Sequence, residues 1–427
     1  MKILIKNGIV VTDEYEKKQD VLVEDGIISH ISENCQAYAD VILDAEGSYV
    51  LPGLVDAHCH LRDPGYEYKE DIASGTRSAA MGGFTSVACM PNTNPPADNK
   101  TVIRYIIEKA NREGVVHVFP IGAMTKGLKG EELAEIGEMK EAGIVGVSDD
   151  GFCVENSSVM KKVMLYAGMF DLPVICHCED TKLAEDGVMN EGELSTRMGL
   201  RGKSKASEEI VIARDIILSQ RFNVPVHICH VSTALGVEII RNAKKLGVKV
   251  TAETCPHYFT LTEKACEGYN TMAKVNPPLR NEEDIEAIIR GLCDGTIDII
   301  ATDHAPHHMD EKNVEFDRAA SGMVGFETAL PLSYTVLVKT GRMSMCDLVR
   351  KMSTKPAEIL KIDKGRLIEG KMADITVFNP NIDYIIDTDK FASRSKNSPF
   401  HGFPVSGKVT ATIVNGKIIV KDGNLVV

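Results

Sequence analysis

Between residues 54 and 302 the chain alternates short apolar runs with longer stretches of helical periodicity, the pattern of βα units laid on a parallel sheet. Eight strand candidates follow one another: Leu54–Leu61, Thr85–Met90, Val115–Ile121, Ile144–Ser148, Pro173–His177, Val224–Val231, Val248–Thr254 and Ile297–Thr302. Helical stretches such as Thr101–Asn111, Leu133–Ala142, Ser157–Ala167, Glu208–Ser219 and Ala234–Leu246 lie between them. Eight such units predict an α/β fold, a (β/α)8 TIM barrel over residues 54–363, whose functional groups belong at the C-terminal ends of the strands. The two ends of the chain read differently. Lys2–Lys6, Gly8–Val11, Val21–Glu24, Ile27–Ile31 and Val41–Asp44 are short β-type runs, as are Ile375–Phe378, Val409–Val414 and Lys417–Val420 around the turn Asn415-Gly416. Residues 1–53 and 364–427 are therefore expected to build one small β-sandwich-like domain from both termini.

Composition narrows the function classes. With 48 Lys and Arg against 61 Asp and Glu, the net charge of −13 lacks the electrostatic footprint of a nucleic-acid binder. No apolar run approaches the roughly 18 residues of a membrane span, and the start, Met1-Lys2-Ile3-Leu4-Ile5, has no signal-peptide pattern. The 11 cysteines are scattered without paired spacing, which suits reduced thiols in a cytoplasmic protein.

Strands of a parallel sheet covered by helices should be almost wholly apolar, so the polar residues that end them need a reason. The first ends His58-Cys59-His60-Leu61-Arg62, the fourth Ser148-Asp149-Asp150-Gly151, the fifth Cys176-His177-Cys178, the sixth Cys229-His230 and the eighth Thr302-Asp303-His304. Residues two apart on a strand share a face, so His58 and His60 both reach the barrel mouth. A single histidine of this kind is usually a satisfied core residue. Imidazoles and carboxylates converging from several strand ends are what a divalent cation requires. Two histidines on one strand and two more on separate strands exceed the ligand set of one catalytic zinc, which points to two ions. His58 and His60 would hold one and His177 and His230 the other, with an acidic residue of strand four as the bridge and Asp303 beside the first. Such a pair lowers the pKa of a bound water and polarises a carbonyl, the requirements of hydrolysis.

Longer motifs surround these residues: Asp56-Ala57-His58-Cys59-His60-Leu61-Arg62-Asp63-Pro64-Gly65, Met90-Pro91-Asn92-Thr93, Lys274-Val275-Asn276-Pro277-Pro278-Leu279-Arg280, Ala301-Thr302-Asp303-His304-Ala305-Pro306-His307 and Gly325-Phe326-Glu327-Thr328-Ala329-Leu330-Pro331. In this order, and over essentially the whole chain, the set resembles the amidohydrolase superfamily and, within it, the type I dihydroorotases of pyrimidine biosynthesis. The resemblance implies metal ligation by His58, His60, Asp150, His177, His230 and Asp303, two Zn2+ ions per subunit bridged by Asp150, and proton transfer by Asp303. It also implies substrate contacts from His60, Arg62, Asn92, Asn276, His307, Ser321 and Gly322. Arg62 suits a carboxylate because its guanidinium is always charged and binds in bidentate fashion. Relatives that open neutral rings resemble this chain but bridge their metals with a carboxylated lysine, and no lysine lies between Glu141 and Cys153. Asp149 is the reserve candidate for the bridge. By the same resemblance a homodimer is expected, with aspartate transcarbamoylase as the candidate partner; a silent scaffold for that partner is the non-enzymatic alternative. Gly202-Lys203-Ser204 looks like the end of a phosphate-binding loop but lacks the required upstream glycine and strand. The polar run from Met309 to Ala320 reads either as a solvated loop or as an active-site lid.

Overall fold

The computed structural model describes all 427 residues. Parallel strands β1 (Leu54–Cys59), β2 (Phe84–Cys89), β3 (His117–Pro120, continued by Gly122–Ala123), β4 (Val147–Ser148), β5 (Val174–Cys176), β6 (Val226–Ile228), β7 (Val250–Thr254) and β8 (Ile299–Ile300) follow one another around a barrel. The ring closes between β1 and the segment after β8, where the Asp303 N–H donates to His58 O at 3.0 Å and the His60 N–H donates to His304 O at 2.9 Å. Strands four and eight are shorter than the sequence suggests. At the end of β8 the Thr302 N–H donates to the Asp56 carboxylate at 2.9 Å instead of to a neighbouring strand, so the regular ladder stops at Ile300.

Helices cover the outside of the barrel, and their local sequence explains them. Lys100–Glu113 begins at Asn99, whose side chain accepts from the Thr101 and Val102 N–H groups. Val102, Ile103, Ile106 and Ala110 form its buried stripe. No helix is long and apolar enough to cross a membrane.

The chain ends build two sheets. Lys2–Lys6, Asp20–Glu24, Ile27–Ser32 and Val41–Asp44 form one of four strands, drawn from the N-terminal segment alone. The other has seven and interleaves both termini, with Tyr49–Pro52 parallel to Ile9–Val11 and antiparallel to Ile375–Ile385. Ile3, Ile5, Val10, Val21, Val50, Ile375, Val377 and Ile413 pack into one apolar cluster shared by the two sheets. Asn415 and Gly416 both have positive φ, 51° and 68°, as the tight hairpin between Pro404–Val414 and Lys417–Lys421 requires. Glu16–Lys18 is a strand that periodicity misses, because all its residues are charged and exposed on the sheet edge.

Glu327 ties the barrel to the C-terminal return. It accepts from Ser78 Oγ at 2.8 Å and from the Ala392 N–H at 2.7 Å, and burial pushes its carboxyl up to about 7. A carboxyl raised in the folded state contributes stability that is full below its unfolded pKa and is lost as pH rises through the folded value. Between pH 5 and pH 8 the wild-type protein is therefore expected to lose about 2 kcal/mol that Glu327→Gln does not lose. Urea unfolding at the two pH values checks this; parallel pH dependences for the two proteins would place the charge elsewhere.

Candidate metal centre

Six side chains converge at the C-terminal mouth of the barrel. Asp150, just past β4, lies at their centre, and its two carboxylate oxygens face different histidine pairs. Oδ2 is 3.4 Å from His58 Nε2 and 3.5 Å from His60 Nε2, whereas Oδ1 is 3.5 Å from both His177 Nδ1 and His230 Nε2. Asp303 joins the first pair, with Oδ1 at 3.2 Å from His60 Nε2 and 3.6 Å from His58 Nε2. All six are buried. Asp149 points away and accepts from the Met124 and Thr125 N–H groups at 2.7 and 3.1 Å and from the Thr125 hydroxyl. The backbone is strained where the site needs it: Arg62, His230 and Asp303 have φ of 60°, 32° and 46°, unusual for residues with a side chain.

The donor set fits divalent cations. His58 Nε2 and Asp150 Oδ1 are buried with no hydrogen-bond partner, although each points into the cluster. Burial would push His177 down, but Asp150 and Glu179 outweigh it and lift the imidazole to about 9. Burial and the neighbouring carboxylates of Asp150 and Glu253 compete in the same way at His58, which ends well above its ordinary value. The cluster thus demands positive charge, which cations supply when the imidazoles are neutral ligands. Burial acts upward on Asp303, but the hydrogen bond from His60 and the charges of His58, His60 and His230 hold it at about 2, ionised.

The supporting residues set which nitrogen each imidazole presents. His58 Nδ1 donates to Glu253 Oε1 at 2.6 Å, and Glu253 Oε2 in turn lies 3.1 Å from His227 Nε2. His60 Nδ1 donates to Asn92 Oδ1 at 2.9 Å. Both bonds leave Nε2 free for a metal. Sequence reasoning missed Glu253, and its signal was an acidic residue inside the buried strand β7. Glu253→Gln is expected to keep the fold and weaken metal binding about 10- to 100-fold, measured by competition with a chromogenic chelator. Wild-type metal affinity in that variant would remove Glu253 from the site's support.

Beside the six lies a cavity of about 270 Å³, lined by His60, Arg62, Asn92, Asn276, His307, Ser321 and Gly322 together with Asp150, His177, His230 and Asp303. Every substrate-contact residue expected from the sequence therefore borders one space. Arg62 is buried, donating through Nε to Pro306 O at 3.2 Å, with a terminal nitrogen 3.3 Å from His307 Nε2. Gly322 has φ +136°, and a Cβ there would come within 2.8 Å of Ala305 Cβ and 3.1 Å of His307 Cδ2, so no side chain fits. Lys203 also lines the cavity. The run after His307 is pinned down. Lys312 is wholly buried and donates to Ala320 O at 2.7 Å and Gly322 O at 3.0 Å, which ties the run to the glycine that borders the cavity.

A (β/α)8 barrel with this histidine and aspartate mouth and an attached sheet domain defines the class of metal-dependent amidohydrolases. A family model described as dihydro-orotase-like matches residues 47–235, and one described as the amidohydrolase family matches residues 316–420. Proteins named dihydroorotase from Acetivibrio thermocellus and Ruminiclostridium cellulolyticum are 62% and 59% identical to this chain over 98% and 99% of it and 99% of their own lengths. The chain belongs to the dihydroorotase family. Among solved structures, an L-hydantoinase (dihydropyrimidinase) from Arthrobacter aurescens superposes with a TM-score of 0.91 at 28% identity, covering 100% of this chain and 97% of that one. A dihydropyrimidinase from Brevibacillus agri shares the fold with a TM-score of 0.89 at 24% identity, over 100% of this chain and 96% of its own.

Proposed function

We propose that this protein is a zinc-dependent dihydroorotase that interconverts L-dihydroorotate and N-carbamoyl-L-aspartate in de novo pyrimidine (UMP) biosynthesis, with two Zn2+ per subunit. The observation that carries the reading is the division of Asp150, one oxygen toward His58 and His60 and the other toward His177 and His230, beside a cavity that contains Arg62. His58, His60 and Asp303 would hold one ion, His177 and His230 the other, and Asp150 both. When bound, the ions supply an acidified water and polarise the ring amide carbonyl. Asp303, ionised and at the cavity edge, accepts the proton released as water adds to that carbonyl and hands it to the departing ring nitrogen. In the biosynthetic direction the same carboxylate removes the proton from the attacking ureido nitrogen. Arg62 holds the substrate carboxylate, with Asn92, Asn276, His307, Ser321 and Gly322 shaping the remainder of the cavity.

Arg62→Met is expected to raise KM for dihydroorotate about 100-fold, the loss of a bidentate charged contact, while metal content stays at the wild-type value. An unchanged KM would detach the substrate carboxylate from Arg62. The reaction itself is tested by following ring opening of L-dihydroorotate by zinc-supplied protein, with hydantoin and dihydrouracil alongside. Turnover of dihydroorotate supports the reading. Activity confined to the neutral rings would move the chain to the hydantoinase branch, and metal-loaded protein inert on all three would make it a scaffold. The same reading takes the enzyme to be a homodimer able to assemble with an aspartate transcarbamoylase, in the cytoplasm, a compartment that suits the free thiols at all 11 cysteines. Sedimentation of the protein alone and mixed with that enzyme tests both associations.

A further inference from the structure

Lys203 reaches the cavity from a segment that the metal centre does not explain. It sits on the short strand Gly202–Lys203, paired in parallel with Met189–Asn190, which fixes its backbone at the rim. Its Nζ donates to Asn276 Oδ1 at 2.7 Å and to Glu179 Oε2 at 2.8 Å, and both charged side chains are largely buried, 11% and 16% exposed. The Lys203 charge is thus offset by Glu179 and is not a free anion site. What remains is its effect on Asn276. A carboxamide can turn over and exchange its acceptor for its donors, but an ammonium can only donate. With Oδ1 held by Lys203, the Asn276 NH2 group is the end left for the cavity. Nδ2 lies 3.5 Å from His177 Nε2, at the outer limit of a hydrogen bond, so its N–H groups remain available to a ligand.

We propose that Lys203 is a specificity-determining positioning residue. Clamped by Glu179, it locks the Asn276 carboxamide so that the site offers a hydrogen-bond donor there, selecting substrates that place a carbonyl or carboxylate oxygen at that wall. Barrel order adds to the argument. Asn276 and Glu179 follow β7 and β5, whereas Arg62 follows β1, so the Lys203 clamp and the Arg62 guanidinium approach the cavity from different sides. The inference rests on the proposed reaction only for the identity of the substrate.

The test is a double-mutant cycle of Lys203→Met and Asn276→Ala in the zinc-supplied enzyme, run on whichever ring of the substrate panel the wild type opens fastest. Lys203→Met is expected to raise KM about 10-fold with kcat changed less than about threefold, the signature of one lost binding contact. The double variant should be no worse than Asn276→Ala alone, because Lys203 acts through Asn276. Lys203→Arg, which keeps a charged donor, should recover most of the affinity. Metal content and melting temperature are followed in every variant, and if Lys203→Met does not fold, Lys203→Ala completes the same cycle. An unchanged KM, additive losses in the double variant, or a loss that tracks metal content overturns the proposal. Failure of the dihydroorotase reading is a separate result, seen in the wild-type panel before any variant is made.

Discussion

Asp303→Asn is expected to lower kcat by at least about 1,000-fold while the melting temperature and zinc content at saturating metal stay close to wild type. The expectation follows from geometry. Asp303 Oδ1 is 3.2 Å from His60 Nε2, and the side chain borders the cavity. The amide keeps an oxygen for the metal but cannot accept and return a proton. General acid–base transfer contributes roughly 100- to 10,000-fold, and in the proposed mechanism one carboxylate serves both halves of the proton movement. Steady-state rates in both directions, with metal content measured on the same samples, check it. Turnover within tenfold of wild type in either direction would assign the proton transfer to another group.

The second large effect separates two adjacent residues. Asp150→Ala is expected to lower bound zinc, two ions per subunit on the proposed reading, to one or none and to take turnover below detection. Asp149→Ala should retain metal and lose stability instead. Asp150 is shared by two histidine pairs, so its loss removes a ligand from both positions together. Asp149 is buried among the Met124 and Thr125 N–H groups and the Thr125 hydroxyl, and its removal leaves buried donors unsatisfied at about 1–3 kcal/mol each. Zinc stoichiometry after gel filtration and denaturant midpoints distinguish the pair. Metal loss in the Asp149 variant with retention in the Asp150 variant would reverse the assignment.

Much of this site was legible in the chain, and the legible part has a common physical origin. His58, His60, His177, His230 and Asp303 stand at the ends of apolar runs that must be buried strands, where a polar side chain is conspicuous. Strand alternation then places His58 and His60 on one face. Glu253 carried the same signal but was passed over, being one acidic residue within β7 instead of at its end. Lys203 stood out only in a Gly-Lys-Ser triplet that fails as a phosphate-binding loop, and nothing in that triplet points to the barrel mouth. The exposed edge strand Glu16–Lys18 was equally silent, because no apolar face marks it.

By itself the sequence determined the βα repetition, the strand-built ends and the set of groups delivered to the barrel mouth, because burial imposes a periodicity that a single chain displays. Tertiary structure alone decided that Asp150 and not Asp149 faces the four imidazoles, that Glu253 backs His58 across 195 residues, and that Lys203 reaches Asn276 across 73. These are matters of side-chain direction and of contacts between distant segments. No local pattern encodes them, and only closure of the barrel brings the partners within hydrogen-bonding reach.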